Sequence, residues 1–418
     1  MNEGHTAAEE LPSHARASAA RLRELAALFL KLGTISFGGP AAHIALLEAE
    51  VVRKRQWVTR QQFLDMLGAA NLIPGPTSTE MAINVGFVRA GWAGLCVAGA
   101  SFILPAAVIT AGFAWLYVRF GTLSQAVPVL AGIKAAVIAV IGIAIWRLGK
   151  AAVKDFGLAV LAALSLAAFF LGVNPIAILF VGGLLGMLAK RAASARATGV
   201  LVVLPMLAGR TFTASTVEGT SVSWLRRLGM LALASTAVGA APDRPSVYEI
   251  GLFFLRVGAV LYGGGYVLLA FLEQGIVQQH VWMTHQQLLD AVAIGQFTPG
   301  PVLSTATFIG YILGGVPGAA VATVAIFLPS FFYVALLAPV LFRLRKSAWM
   351  AAFLDSINVC AVALMGGVTF KLAADALRGW PAWGIAALSL AALLRWKVSP
   401  AWVVLGGGIA GLALAAFR

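Results

Sequence analysis

Lys31, Lys134 and Arg256 lie inside apolar stretches of this 418-residue sequence. A lysine or arginine at the centre of a membrane helix costs on the order of 2.5–3.5 kcal/mol. Such a cation therefore points to a partner or ligand of negative charge. Pro74-Gly75-Pro76 and Pro299-Gly300-Pro301 interrupt two further apolar segments. Proline removes a backbone donor and clashes with the preceding turn, so a new helix must start after each triplet. Hydroxyls follow both: Thr77, Ser78 and Thr79 after the first, Ser304, Thr305 and Thr307 after the second. Thr77 and Glu80 have the spacing of a capping box. Helix starts present N–H groups and a partial positive charge. Together with hydroxyls and buried cations they suit an oxyanion. Two further interruptions, Gly38-Gly39-Pro40 and Gly263-Gly264-Gly265, complete the set of substrate-binding candidates.

Acidic and imidazole groups in the same regions are candidates for a coupling ion. Glu48 and Glu273 occupy matched positions, Glu80 has no acidic counterpart, and His43 stands three residues after Pro40. Membrane carboxylates often relay protons, and histidine titrates near neutrality. Asp65 and Asp290 read instead as structural residues near the membrane interface. Arg147 and Lys371, close to segment ends, read as snorkelling cations. Cys96 and Cys360 form neither CxxC nor zinc spacing, so no disulfide, metal site or cofactor is expected. The sequence has no P-loop, HExxH, GxSxG or Rossmann fingerprint, and the chain is not expected to be an enzyme.

These residues need long apolar helices to hold them. Hydrophobic residues make up 60% of the chain and charged residues 11%, with a mean hydropathy of +0.91. A soluble domain averages roughly 45–50% apolar and about 25% charged. The composition therefore implies a multi-pass membrane protein, and strand alternation is absent, so an all-α polytopic bundle is expected. The basic excess, 30 Lys and Arg against 16 Asp and Glu, reads as cytoplasmic loop charge and not as nucleic-acid binding.

Residues 29–76 align with 254–301 at a constant offset of 225, with 18 identities in 48 positions, including Phe29/Phe254, Gly33/Gly258, Trp57/Trp282, Asp65/Asp290 and the two Pro-Gly-Pro triplets. The match resumes at offset 224, for example Gly91/Gly315 and Pro105/Pro329. Two transporter repeats, 21–190 and 246–418, are predicted, with a mobile tail at 1–20 and a cytoplasmic linker at 191–245. Segments 60–88 and 285–313 are predicted to be re-entrant, since broken helix at membrane depth is tolerated only where it is buried in protein or lines a cavity. Arg53-Lys54-Arg55 faces Gln278-Gln279-His280 in the alignment, whereas Arg343, Arg345 and Lys346 load a loop whose counterpart holds only Arg119. By the positive-inside rule the repeats lie in opposite orientations. Inverted repeats with broken helices are the architecture of secondary transporters, with the site near the midplane.

Phe37-Gly38-Gly39-Pro40, Trp57-Val58-Thr59, Pro74-Gly75-Pro76, Tyr262-Gly263-Gly264-Gly265 and Pro299-Gly300-Pro301 together resemble the chromate ion transporter family in its long-chain, two-domain form. The resemblance implies chromate efflux from the bacterial cytoplasm across the inner (plasma) membrane, chromate resistance, and a drive from membrane potential or proton gradient. It also implies a central spanning helix, which conflicts with a cytoplasmic linker. Sulfate or another oxyanion remains an alternative substrate, and a membrane enzyme or lipid flippase an alternative class. The partners expected are the oxyanion, the lipid bilayer and a second copy in a homodimer.

Overall fold

A computed structural model describes residues 19–37, 40–70, 73–121, 126–197, 245–261, 268–344, 348–396 and 398–416. The greater part of the linker and all but the end of the tail lie outside them. The described residues form helices and no strands. In the first half these are α1 (Ala19–Ile35), α2 (Pro40–Glu48), α3 (Arg60–Ala70), α4 (Thr77–Phe120), α5 (Ala126–Ala152), α6 (Phe156–Phe170) and α7 (Pro175–Ala197). The second half repeats them as α8 (Val247–Val260), α9 (Leu268–Leu272), α10 (His285–Phe297), α11 (Thr305–Leu344), α12 (Ala348–Ala376), α13 (Trp380–Arg395) and α14 (Pro400–Ala416). Among the described residues, four helices, at Thr77–Phe120, Ala126–Ala152, Val302–Leu336 and Trp349–Ala376, are long and apolar enough to cross a membrane.

The first segment of each half breaks as the sequence requires, and α3 stops before Pro74-Gly75-Pro76. A second break falls where the predicted segments 60–88 and 285–313 end. Ala90 and Gly91 in α4, and Gly314 and Gly315 in α11, leave helical geometry, with φ of 61° and 62° at Gly91 and Gly315. A Cβ built on Gly94 would collide with the Gly86 carbonyl, and one built on Gly318 with the Gly310 carbonyl. Eight residues of straight helix would separate such a pair by about 12 Å. Each long helix is therefore two arms folded back on each other, with glycines where the arms touch.

Packing exchanges helices between the halves. α1 lies on α4 and α8 on α11, within their own halves. In contrast, α5 packs on α13 and α14, while α12 packs on α6 and α7. Small residues allow these close approaches. Gly407 and Gly411 meet Gly132 on one side, and Gly186 meets Ser356 on the other. The offsets 225 and 224 map one contact set onto the other, so a two-fold relation joins the halves.

The loops differ in charge as the sequence predicts. The guanidinium groups of Arg55 and Arg89 both lie over the Trp57 ring, 5.4 and 5.1 Å from its centroid. Its counterpart Trp282 stacks on the neutral side chain of His280, 4.4 Å away. Single cysteines at Gln56 and Gln279, in a background lacking Cys96 and Cys360, test the opposed orientations. With an impermeant thiol reagent applied from outside, labelling is expected at 279 and not at 56. Equal labelling of both would overturn the inverted arrangement.

Candidate functional site

The two Pro-Gly-Pro triplets meet the opposite half, each at the end of its first helix. Gly75 N–H donates to Leu261 O at 2.7 Å, and Gly300 N–H donates to Ser36 O at 2.8 Å. Leu261 and Ser36 are themselves equivalent at offset 225, so the contacts are reciprocal. Gly75 has φ of 142° and Gly300 of 89°, conformations that favour glycine. Past each triplet a helix restarts in the same way. Thr79 N–H bonds Pro76 O and Ser304 N–H bonds Pro301 O. The hydroxyls of Thr79 and Ser304, again equivalent residues, are buried and meet no hydrogen-bond partner.

The side chains around the two breaks differ. At the first, Glu80 is fully buried and neither of its carboxyl oxygens has a hydrogen-bond partner. A Cβ placed on Gly75 would touch both Glu80 Oε1 and Ser330 Oγ, so these two groups share the space beside the glycine. The capping box expected from Thr77 and Glu80 does not form: Pro76 takes the N-cap position, placing Thr77 in the first turn, and the Glu80 side chain caps nothing. At the second break, Ser36 O accepts from both Gly300 N–H and His43 Nε2, the latter at 3.0 Å. His43 is buried, and its Nδ1 meets no partner. A small void lined in part by Leu268, Gln296, Val302 and Thr305 lies beside this break. Pro40 opens α2, while Gly38, Gly39, Gly263 and Gly264 lie outside the described residues.

The cations do not converge on the breaks. Lys31 has 54% of its side chain exposed and lies 3.4 Å from Glu50, which also binds Lys54 at 2.9 Å. The Lys54 hydrogen bond, with Lys31 adding to it, holds the Glu50 carboxyl below the usual range against its partial desolvation. Arg256 is exposed. Its charge reaches His280, whose imidazole is held low mainly by burial; Glu249 raises it and Arg256 lowers it further. Glu48 pairs with Arg53 at 3.6 Å. Its counterpart Glu273 is fully buried, accepting from Gln278 Nε2 and lying 3.1 Å from His285 Nδ1.

Lys134 has a fixed counter-ion. Its ammonium lies 3.0 Å from Asp290 Oδ1, with side-chain exposures of 12% and 4%, and donates to Gln286 Oε1 at 2.8 Å. Tyr117 OH donates to Asp290 Oδ2 at 2.8 Å. The sequence shows no carboxylate at a neighbouring helical position for Lys134. The structure brings Asp290 from the other half, so no bound anion is required to neutralise this cation. Asp290 is accordingly buried. Its counterpart Asp65 accepts from Gln61 at 3.1 Å near the surface.

Each break can thus offer helix-start N–H groups and buried hydroxyls to an oxyanion in a place closed to bulk water. Sequence reasoning missed Ser36 and Ser330. Both adjoin motifs that it did single out, Phe37-Gly38-Gly39 and the repeated Leu-Pro at 328–329. Pro74→Ala with Pro76→Ala should let helix run through the first break and lower transport strongly while membrane insertion stays normal. Chromate flux with matched immunoblots checks this, and full transport would reduce the break to a kink.

The chromate transporter family profile matches residues 23–187 and 248–412. These spans begin 225 residues apart (248 − 23), the offset of the internal repeat. The chain is 33% identical over 399 residues to a chromate transport protein of Cupriavidus metallidurans, covering 94% of this chain and 92% of that protein. It is 31% identical to a chromate transport protein of Pseudomonas aeruginosa, over 93% and 91% of the two chains. A probable chromate transport protein of Synechococcus elongatus is 29% identical over 90% of each. No solved structure matches the chain. With both repeats matched by the family profile and relatives aligned nearly end to end, this multi-pass membrane protein belongs to the chromate transporter family.

Proposed function

We propose that this chain is a secondary active transporter that carries chromate out of the cytoplasm across the inner membrane, without catalysing a chemical change, and so confers chromate resistance. The observation that supports this most is the reciprocal pair of Pro-Gly-Pro breaks, each tied to the opposite half and lined with buried hydroxyls that have no partner. Such a site recognises an oxyanion by N–H and O–H donors around it, and two-fold related breaks allow it to open alternately to the two sides. We assign the anion to Thr77, Ser78, Thr79, Ser304 and the two Pro-Gly-Pro backbones. Lys134 stands at a distance in the chain, holding Asp290. The linker at 191–245 is taken as cytoplasmic, and a homodimer in the bilayer is the assembly to test.

Sulfate shares chromate's tetrahedral shape and charge, and donors of this kind do not separate the two. Vesicles containing the purified protein and loaded with radiolabelled chromate should release it faster than protein-free vesicles, and cells expressing it should survive chromate better. Failure to move chromate together with rescue of a sulfate-uptake mutant would reverse both substrate and direction. Movement of neither anion would remove the oxyanion reading.

A further inference from the structure

Among the described residues, Glu80 stands apart. It lies one turn into the helix that restarts after Pro76, is fully buried, and meets no hydrogen-bond donor at either oxygen. The other charged residues on α4 and on the elements packed around it are paired elsewhere or, like Arg23, Arg60 and Arg119, lie exposed. Lys31 is held by Glu50 and Arg89 by Glu24. Asp290 is held by Lys134 and Tyr117, and Asp65 accepts from Gln61. His43 Nε2 bonds Ser36 O at the other break, and Tyr333 OH donates to Ala259 O. An ionised carboxylate sealed from water with no cation and no donor is very costly, and such a group takes up a proton instead. At the same offset the second half carries Thr305, whose hydroxyl is already committed to Val302 O at 2.8 Å. The acid is therefore a property of one break only.

We propose that Glu80 is a proton-binding site of the first break, and that its proton and the transported oxyanion occupy that break together, so that each anion crosses with one proton. This rests on the oxyanion reading above. The ionised carboxylate would repel a dianion a few ångströms away, where low dielectric strengthens the repulsion. Protonation removes the repulsion and turns one oxygen into an O–H donor beside Ser330 and Gly75, the position that the anion would fill. The proton comes from water on the loading side, converts Glu80 to the neutral acid, and returns to water on the other side after the anion leaves. Each dianion then moves one negative charge instead of two, so outward transport draws on the membrane potential and is opposed by an inward proton gradient.

The test uses the full chain in liposomes with a trapped pH dye and the membrane potential clamped by potassium and valinomycin. The medium is alkaline enough to keep chromate itself deprotonated. In the wild type, chromate efflux should carry about one proton per anion in the same direction. Apparent chromate affinity should fall about tenfold per pH unit above the Glu80 pKa, as linkage requires. Glu80→Gln, which keeps the shape and cannot release a proton, should show no proton movement with chromate, and its chromate exchange should lose this pH dependence. Wild-type flux with no proton, or with a proton moving the opposite way, would overturn the proposal, as would proton-coupled flux through Glu80→Gln. The wild-type measurement alone decides if that variant does not fold. Absence of any oxyanion flux in the wild type would instead sink the transport reading on which the proposal rests.

Discussion

Asp290→Ala should cost about 3–5 kcal/mol of stability and remove nearly all transport. The variant leaves the Lys134 ammonium in the bundle with only Gln286 Oε1 at hydrogen-bonding distance, and leaves Tyr117 OH without its acceptor. Lys134→Ala should destabilise in the same direction but less, because Tyr117 still donates to Asp290 and the acid can take up a proton. Removal of both partners should cost less than the sum of the single changes, since the double variant buries neither charge alone. Thermal unfolding in detergent measures all three. Transport should follow stability, because the network fastens α4, α5 and α10, and through Gln286 to Asp375 O it reaches α12. A Lys134→Ala protein as stable as the wild type and unable to carry chromate would give the opposite answer: the lysine would serve the anion and not Asp290.

Lys134 shows what periodicity can and cannot reveal. Its burial was legible from the apolar run around it. Its partner was not, because Asp290 lies 156 residues away (290 − 134) on a helix of the other half, and side-chain spacing along one helix says nothing of which helices become neighbours. The exchange of α5–α7 between the halves was hidden for the same reason. The repeat itself, its glycines and both Pro-Gly-Pro breaks were plain, since proline and glycine act through local backbone geometry that sequence records directly. The break at Ala90–Gly91 was legible as the end of segment 60–88, but the close contact of its two arms was not, because their glycines resemble those of any membrane helix interface until Gly86 and Gly94 are seen to touch. Thr77 and Glu80 had the right spacing for a capping box, but Pro76 already held the cap, which freed the acid to turn toward Gly75.

Alanine at Gly75 and at Gly300 should separate function from folding at the paired breaks. Both residues have positive φ, so each substitution carries backbone strain of order 1–3 kcal/mol. What the new methyl meets differs. At Gly300 it would lie 2.7 Å from Ala106 Cβ and 3.1 Å from Gly33 O. Neither can move without shifting α4 or α1, so overpacking adds about another 1–3 kcal/mol. At Gly75 it would meet Glu80 Oε1 and Ser330 Oγ, which are side-chain ends that can rotate away, so stability should fall by the strain alone. Gly91→Ala is the control, with φ of 61° and nothing within 4 Å of the new Cβ. The expected order of lost stability in detergent is therefore Gly300→Ala first, with Gly75→Ala and Gly91→Ala together behind it. Transport should order differently: Gly75→Ala should abolish chromate flux, because the methyl occupies the space shared by Glu80 and Ser330, whereas Gly91→Ala should retain flux wherever it inserts. If Gly75→Ala transports as well as Gly91→Ala does, the first break does not receive the anion.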